Sequence, residues 1–135
     1  MAMENNTQRQ HRVYVGVGSN LPEALARREI ECSVAALERL GRVRASETYR
    51  TDGVGVKSAG MVYYNAVVEL LTPMTKEEIA ASLKRYEEAH GRCRSIPVVT
   101  IDLDLVVFDG EVLRPSDFSH EYFQRGYRRL ATGVQ

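Results

Sequence analysis

The 135-residue chain has no tryptophan, two cysteines, four prolines and no net charge, eighteen Lys plus Arg balancing eighteen Asp plus Glu. Each shortage excludes something. A balanced charge sets up no field that would draw the protein to nucleic acid or to an anionic membrane, so an anionic ligand has to be held by local groups. Cys32 and Cys93 stand far apart, with neither the CxxC spacing of a metal site nor the density of a secreted disulfide framework, so a reducing cytoplasm is expected. No run approaches the ~20 apolar residues that cross a bilayer. The polar run from Met1 to Arg12 lacks the core of a signal peptide and reads as a disordered leader to a single domain over 13–135. What is present is a 44% apolar set with ten glycines, enough for one real core and against disorder of the whole chain.

The periodicities give an order of elements. Val13 to Val17 is a β-rich run ended by Gly18-Ser19-Asn20. A helix follows, with Asn20 as a nearby cap, Pro22 at its first turn, Ile30, Val34, Leu37 and Leu40 on one stripe, and Gly41 at its end. Residues 42–50 alternate weakly as a second strand, and the Gly-rich stretch from Thr51 to Gly60 reads as a loop. Tyr63 to Leu71 is a third strand. Thr75 and Glu78 form a capping box that opens a helix carrying Ile79, Leu83, Tyr86 and His90 and closed by Gly91. Thr100 to Phe108 alternates strictly and meets the hairpin dipeptide Asp109-Gly110, and Glu121 to Leu130 is a last amphipathic piece. The order βαββαβ predicts an α+β, ferredoxin-like fold, a mostly antiparallel sheet with its helices on one face. That architecture hosts enzymes, ligand modules and RNA readers alike, so the site has to decide function.

Residues two apart on a strand share a face about 7 Å apart, so Asp102 and Asp104 project together while Ile101, Leu103, Leu105 and Val107 enter the core. Converging hard oxygens suit Mg²⁺, a metal usually completed by substrate phosphates. A bare Asp-x-Asp is more often two solvated charges on a strand face. Arg92 and Arg94 lie in the turn before the pair and match what a polyphosphate needs, or are ordinary surface cations. Tyr63 and Asn65, on one face of the third strand, offer an aromatic plate and a two-way amide to a flat heterocycle, or simply pack an edge. Gly16-Val17-Gly18 fits neither the P-loop nor the dinucleotide fingerprint. The three histidines, His11, His90 and His120, support no Ser or Cys nucleophile scheme. An RNA-reading sheet shares the element order, but adjacent Tyr63 and Tyr64 point to opposite faces and the basic-glycine-aromatic signature is missing.

In this order the residues resemble the 6-hydroxymethyl-7,8-dihydropterin pyrophosphokinases of folate biosynthesis. The pieces are Val17-Gly18-Ser19-Asn20-Leu21, Tyr49-Arg50-Thr51, Tyr63-Tyr64-Asn65-Ala66, Glu87 with Gly91-Arg92-Cys93-Arg94, Thr100-Ile101-Asp102-Leu103-Asp104 with Phe108, and Arg125-Gly126-Tyr127. The resemblance implies transfer of pyrophosphate from ATP, the co-substrate, to the pterin hydroxymethyl group with release of AMP. It implies two Mg²⁺ ions bridging Asp102 and Asp104 to the ATP phosphates, with Arg92 as a catalytic clamp. Pterin would lie between Tyr63 and Tyr127, read by Asn65 and by backbone around Thr51 and Val54. Arg92, Arg94, His120 and Arg125 would hold the nucleotide. Small molecules would be the partners of a monomer, with no nucleic acid and no membrane. Two departures stand against the family pattern: the loop before the Asp pair is short and free of Trp, and Val99 occupies a position that usually holds an Arg. They leave open a pterin- or nucleotide-binding paralogue with weak or no kinase activity.

Overall fold

A computed structural model describes residues 9–55, 60–91 and 99–132. The strands follow the period-2 pattern: β1 (His11–Ser19) sends Val13, Val15 and Val17 into one core and Tyr14 into another, so the strand is covered on both sides. It begins two residues before the expected domain start at 13. Then come α1 (Glu23–Leu37), β2 (Arg42–Ala45), β3 (Tyr49–Asp52), β4 (Val62–Thr72), α2 (Lys76–Ala89), β5 (Asp102–Phe108), β6 (Glu111–Val112), α3 (Pro115–Ser119) and α4 (Glu121–Thr132). The pairings are antiparallel and run β2-β4-β1-β5-β6, with β3 on the same edge of β4 as β2. With β2 and β3 counted as one interrupted edge strand, this is the ferredoxin-like α+β order. The interruption lies at Ser46, whose backbone N–H reaches the Val67 carbonyl at 2.9 Å while its Oγ accepts from Val67 N. Thr51 and Asp52, expected in the Gly-rich loop, belong to β3.

Two cores result. One lies under α1 and α2, where Ile30, Leu37, Ile79 and Leu83 meet Val15, Val68, Leu70, Ile101 and Leu103. The other lies under α4, where Phe123 and Leu130 meet Tyr14, Val67, Val106 and Val107. The expectation of helices on one face therefore holds for α1 and α2 only. Val107 changes sides because the β1–β5 register shifts between Tyr14 and Val15, a bulge that strict alternation does not reveal.

Local signals explain most element ends. The Thr75–Glu78 capping box forms with both bonds, and Gly91 closes α2 at φ +83°. Asp109 (φ +49°) and Gly110 (φ +83°) make the β5–β6 turn, which both need left-handed backbone. Gly41, expected at the end of the first helix, lies beyond it, since α1 stops at Leu37; a Cβ there would sit 2.0 Å from the Leu71 carbonyl oxygen, so it permits close approach to β4. Asn20 does not cap α1; its side chain accepts from Val99 N at 2.7 Å and its own N–H reaches the Val99 carbonyl at 3.0 Å.

Helix α4 lies close to the sheet because Gly126 allows it. An added Cβ would meet Val67 Cγ2 at 2.7 Å and Ser46 Oγ at 2.8 Å. Tyr49 Oη fixes the same contact, accepting from Gly126 N and donating to the Tyr122 carbonyl. Gly126→Ala is expected to destabilise the protein by about 1–3 kcal/mol through this overpacking, measured by urea unfolding.

Candidate active site

The α4 face of the sheet holds a cavity of about 240 Å³ whose floor is glycine. On β1, Gly16 and Gly18 lie directly opposite Asp104 and Asp102 of β5, and Gly18 lies opposite Asn65 of β4 on its other side. A Cβ at Gly16 would press on Phe123 Cδ1 at 3.3 Å, and one at Gly18 on Asn65 Oδ1 at 3.0 Å. These two glycines keep the floor low. The pair that fails as a phosphate loop thus shapes the cavity from the centre of the sheet.

Asp102 and Asp104 form one wall, as their strand spacing predicts. Two strand spacings away, roughly 10 Å, Tyr63 and Asn65 of β4 begin the opposite wall, which Thr51 of the adjoining β3 and Val54 complete. Asn65 is buried and donates to Thr51 Oγ1 at 2.6 Å, which fixes the orientation of its amide, while Val54 is half exposed at the lip. The third wall comes from α3 and the start of α4, with Asp117, His120, Tyr122 and Phe123. His120 donates from Nδ1 to the Ser116 carbonyl at 2.6 Å, and its ring stacks on Tyr122 at 5.2 Å.

The acidic wall is electrostatically crowded. Burial and then the neighbouring Asp102 charge lift the Asp104 carboxyl up to about 7, against a partial offset from Arg114, whose Nη2 lies 3.7 Å from Asp104 Oδ1. Arg114 is itself held by Asp117, which also accepts from the Tyr122 hydroxyl. Burial, followed by that bond, pushes the Tyr122 phenol upward. Glu87, buried on α2, adds a third carboxylate: one oxygen each from Glu87, Asp102 and Asp104 lie within 4.8 Å of one another. Hard oxygen donors carrying surplus negative charge fit a divalent, Mg²⁺-like cation, so the residues present suit such an ion.

The structure gathers Thr51, Val54, Tyr63, Asn65, Asp102, Asp104 and His120 around one space. It does not bring Tyr127 or Arg125 there. Tyr127 falls on the apolar stripe Phe123–Tyr127–Leu130 of α4 and packs against Tyr14 at 4.9 Å and Phe118 at 5.2 Å. Arg125, on the exposed side of α4, lies over the Tyr49 ring at 4.9 Å. Arg92 and Arg94 lie outside the described residues. Residues that sequence reasoning missed include Asp117, Tyr122 and Arg114; the Pro115 that opens α3 at its first turn was the available signal.

Val99, where an Arg is the commoner residue in the family pattern, is 7% exposed and its backbone is bonded from both sides by Asn20. Val99→Arg should therefore lower stability by about 1–3 kcal/mol, because the added cation starts from a buried position. Thermal melts check this; a variant of unchanged stability would contradict it.

A protein-family model described as 7,8-dihydro-6-hydroxymethylpterin-pyrophosphokinase (HPPK) matches residues 14–130. None of the helices among the described residues is long and apolar enough to cross a membrane.

Proposed function

Since the chain belongs to the 7,8-dihydro-6-hydroxymethylpterin-pyrophosphokinase family of folate biosynthesis, we propose that it transfers the pyrophosphoryl group of ATP to the hydroxymethyl oxygen of 6-hydroxymethyl-7,8-dihydropterin and releases AMP. The observation that carries this reading is the two-ended cavity, with an acidic wall at one end and, roughly 10 Å away, a flat polar-aromatic wall at the other. The new bond joins the hydroxymethyl oxygen to the β-phosphorus, and the bond broken links that phosphorus to the oxygen kept by AMP.

Bound Mg²⁺, two ions in this reading, would supply charge neutralisation and a template for the triphosphate. Asp102 and Asp104 would hold it. The Thr51-fixed amide of Asn65 would read the polar edge of the pterin, with Tyr63 beneath the ring and Val54 closing the lip. In this reading His120 would steer the nucleotide, with Arg92 and Arg94 assigned to it by the motif match, while Arg125, over the Tyr49 ring, lies off the cavity. Arg114, half exposed beside Asp104, is within reach of a phosphate bound there. Each of these acts by orientation and charge, which suffices for phosphoryl transfer. The unbridged, exposed Cys32 suits a reducing cytoplasm.

The test is incubation with ATP, Mg²⁺ and the reduced pterin, with AMP followed by chromatography. Absence of AMP from folded protein and intact substrate removes the enzyme claim. The buried Val99, with Tyr127 and Arg125 lying off the cavity, favours a second reading, a pterin- or nucleotide-binding protein without turnover. Calorimetric binding of pterin without product formation would select it.

A further inference from the structure

We propose that Glu87 is the positioning residue of the acidic wall: its carboxylate holds the peptide between Asp102 and Leu103 and so sets the aim of the Asp102–Asp104 pair. The proposal rests on the reading of that pair as the metal-holding group. Strand β5 is paired with β1 along Asp102–Leu105, but on its other edge β6 pairs only Val107 and Phe108. Among the described residues, the stretch that carries the two aspartates therefore has one edge with no strand beside it. In an antiparallel ladder alternate N–H groups point to opposite edges. The Leu103 N–H points to the uncovered edge, away from water, and needs an acceptor.

Helix α2 supplies it. Glu87 is 4% exposed, and its Oε2 accepts from Leu103 N at 2.6 Å in a buried bond. Leu103 is also pinned through its side chain, which packs in the core under α1 and α2. The peptide is thus fixed on both sides, and with it the direction in which the neighbouring aspartates leave the strand. What the pair needs from Glu87 is the reach of its acceptor oxygen, which also lies close to Asp102 and Asp104. Such supporting bonds behind metal-holding side chains typically change metal affinity by ~10- to 100-fold.

Two substitutions separate reach from charge. Glu87→Gln keeps an acceptor oxygen at the same reach and removes the charge; Glu87→Asp keeps the charge and shortens the arm. Both are titrated with Mn²⁺ plus a non-hydrolysable ATP analogue, followed by electron paramagnetic resonance, and the exchange rate of the Leu103 amide is read by NMR. The expected result is that Glu87→Gln binds within about threefold of wild type with a protected Leu103 amide, whereas Glu87→Asp binds at least ~10-fold more weakly with rapid exchange. The reverse order would make charge the working feature and overturn the proposal. Equal binding in both variants, whether retained or lost, also overturns it. Asp102→Asn serves as the control: if it binds like wild type, the metal reading of the pair fails, whereas its loss beside unchanged Glu87→Asp binding rejects the positioning role alone.

Discussion

Asp104→Asn is expected to lower pyrophosphoryl transfer by about 10³-fold or more while making the metal-free protein more stable at neutral and alkaline pH. Both effects come from one piece of geometry. Asp104 lies against Asp102, with Glu87 and Asp117 contributing in the same direction, and Arg114 offsets only part of the charge. Its folded-state carboxyl is raised from 3.8 to about 7, so the folded protein holds a proton more tightly than the unfolded chain. Metal-free stability therefore falls as pH rises from about 4 towards 7, and the full penalty persists above 7. Asparagine removes that penalty. In the presence of a chelator the variant should melt with wild type near pH 4 and several degrees above it at pH 8. Adding Mg²⁺ with nucleotide should stabilise wild type at pH 8 and leave the variant unmoved, because only a state that binds ligand gains from it. A chelated wild type as stable as Asp104→Asn at pH 8 would show that the repulsion is absent.

The Asp pair was legible in the sequence because period-2 spacing fixes which residues share a strand face. The choice between an outside cation and two solvated charges rested on the family resemblance instead. The same rule placed Tyr63 with Asn65, and Asn65 does line the cavity beside Tyr63. Tyr127 shows the limit of motif matching against periodicity. Its position four after Phe123 and three before Leu130 is a helical stripe, and that spacing, present in the sequence, puts its ring in the core under α4. The glycines at 16 and 18 were legible as residue types but not as a cavity floor, since that role depends on which residues stand opposite on β4 and β5. Long-range register of this kind has no local signature. Glu87 entered the sequence reading only as a piece of the family motif, and its task was hidden for a related reason: the Leu103 amide that it accepts from is brought to α2 by β5 across a long-range contact.

Glu69→Ala is expected to cost about 3–5 kcal/mol in urea unfolding at pH 7, the largest stability loss foreseen for a single side chain here. Glu69 is 3% exposed on β4, on the same face as Asn65 and Val67, and accepts from Arg12 Nη1 at 2.8 Å, Arg44 Nε at 2.8 Å and the Tyr14 hydroxyl at 2.8 Å. Despite burial, which opposes ionisation, these bonds hold its carboxyl down from 4.5 to about 2. The sign follows from that depression: the contribution is present above pH 4.5 and is lost as pH falls through 2. The arginines are half exposed and can return to water, but Tyr14 Oη stays inside, with its phenol raised to about 12 first by burial and then by Glu69. Glu69→Gln should recover part of the loss at pH 7 and abolish the acid-dependent slope between pH 5 and 2. The consequence reaches the cavity through α4. Arg44, held by Glu69, donates from Nη2 to the Leu130 carbonyl at 2.8 Å and so fastens the last turn of the helix whose first turn carries Tyr122 and Phe123. Loosening that turn frees the third wall of the cavity at its far end. The variant should thus show weaker binding of pterin or nucleotide at temperatures where it remains folded, and unchanged affinity alongside lowered stability would confine the network to the core.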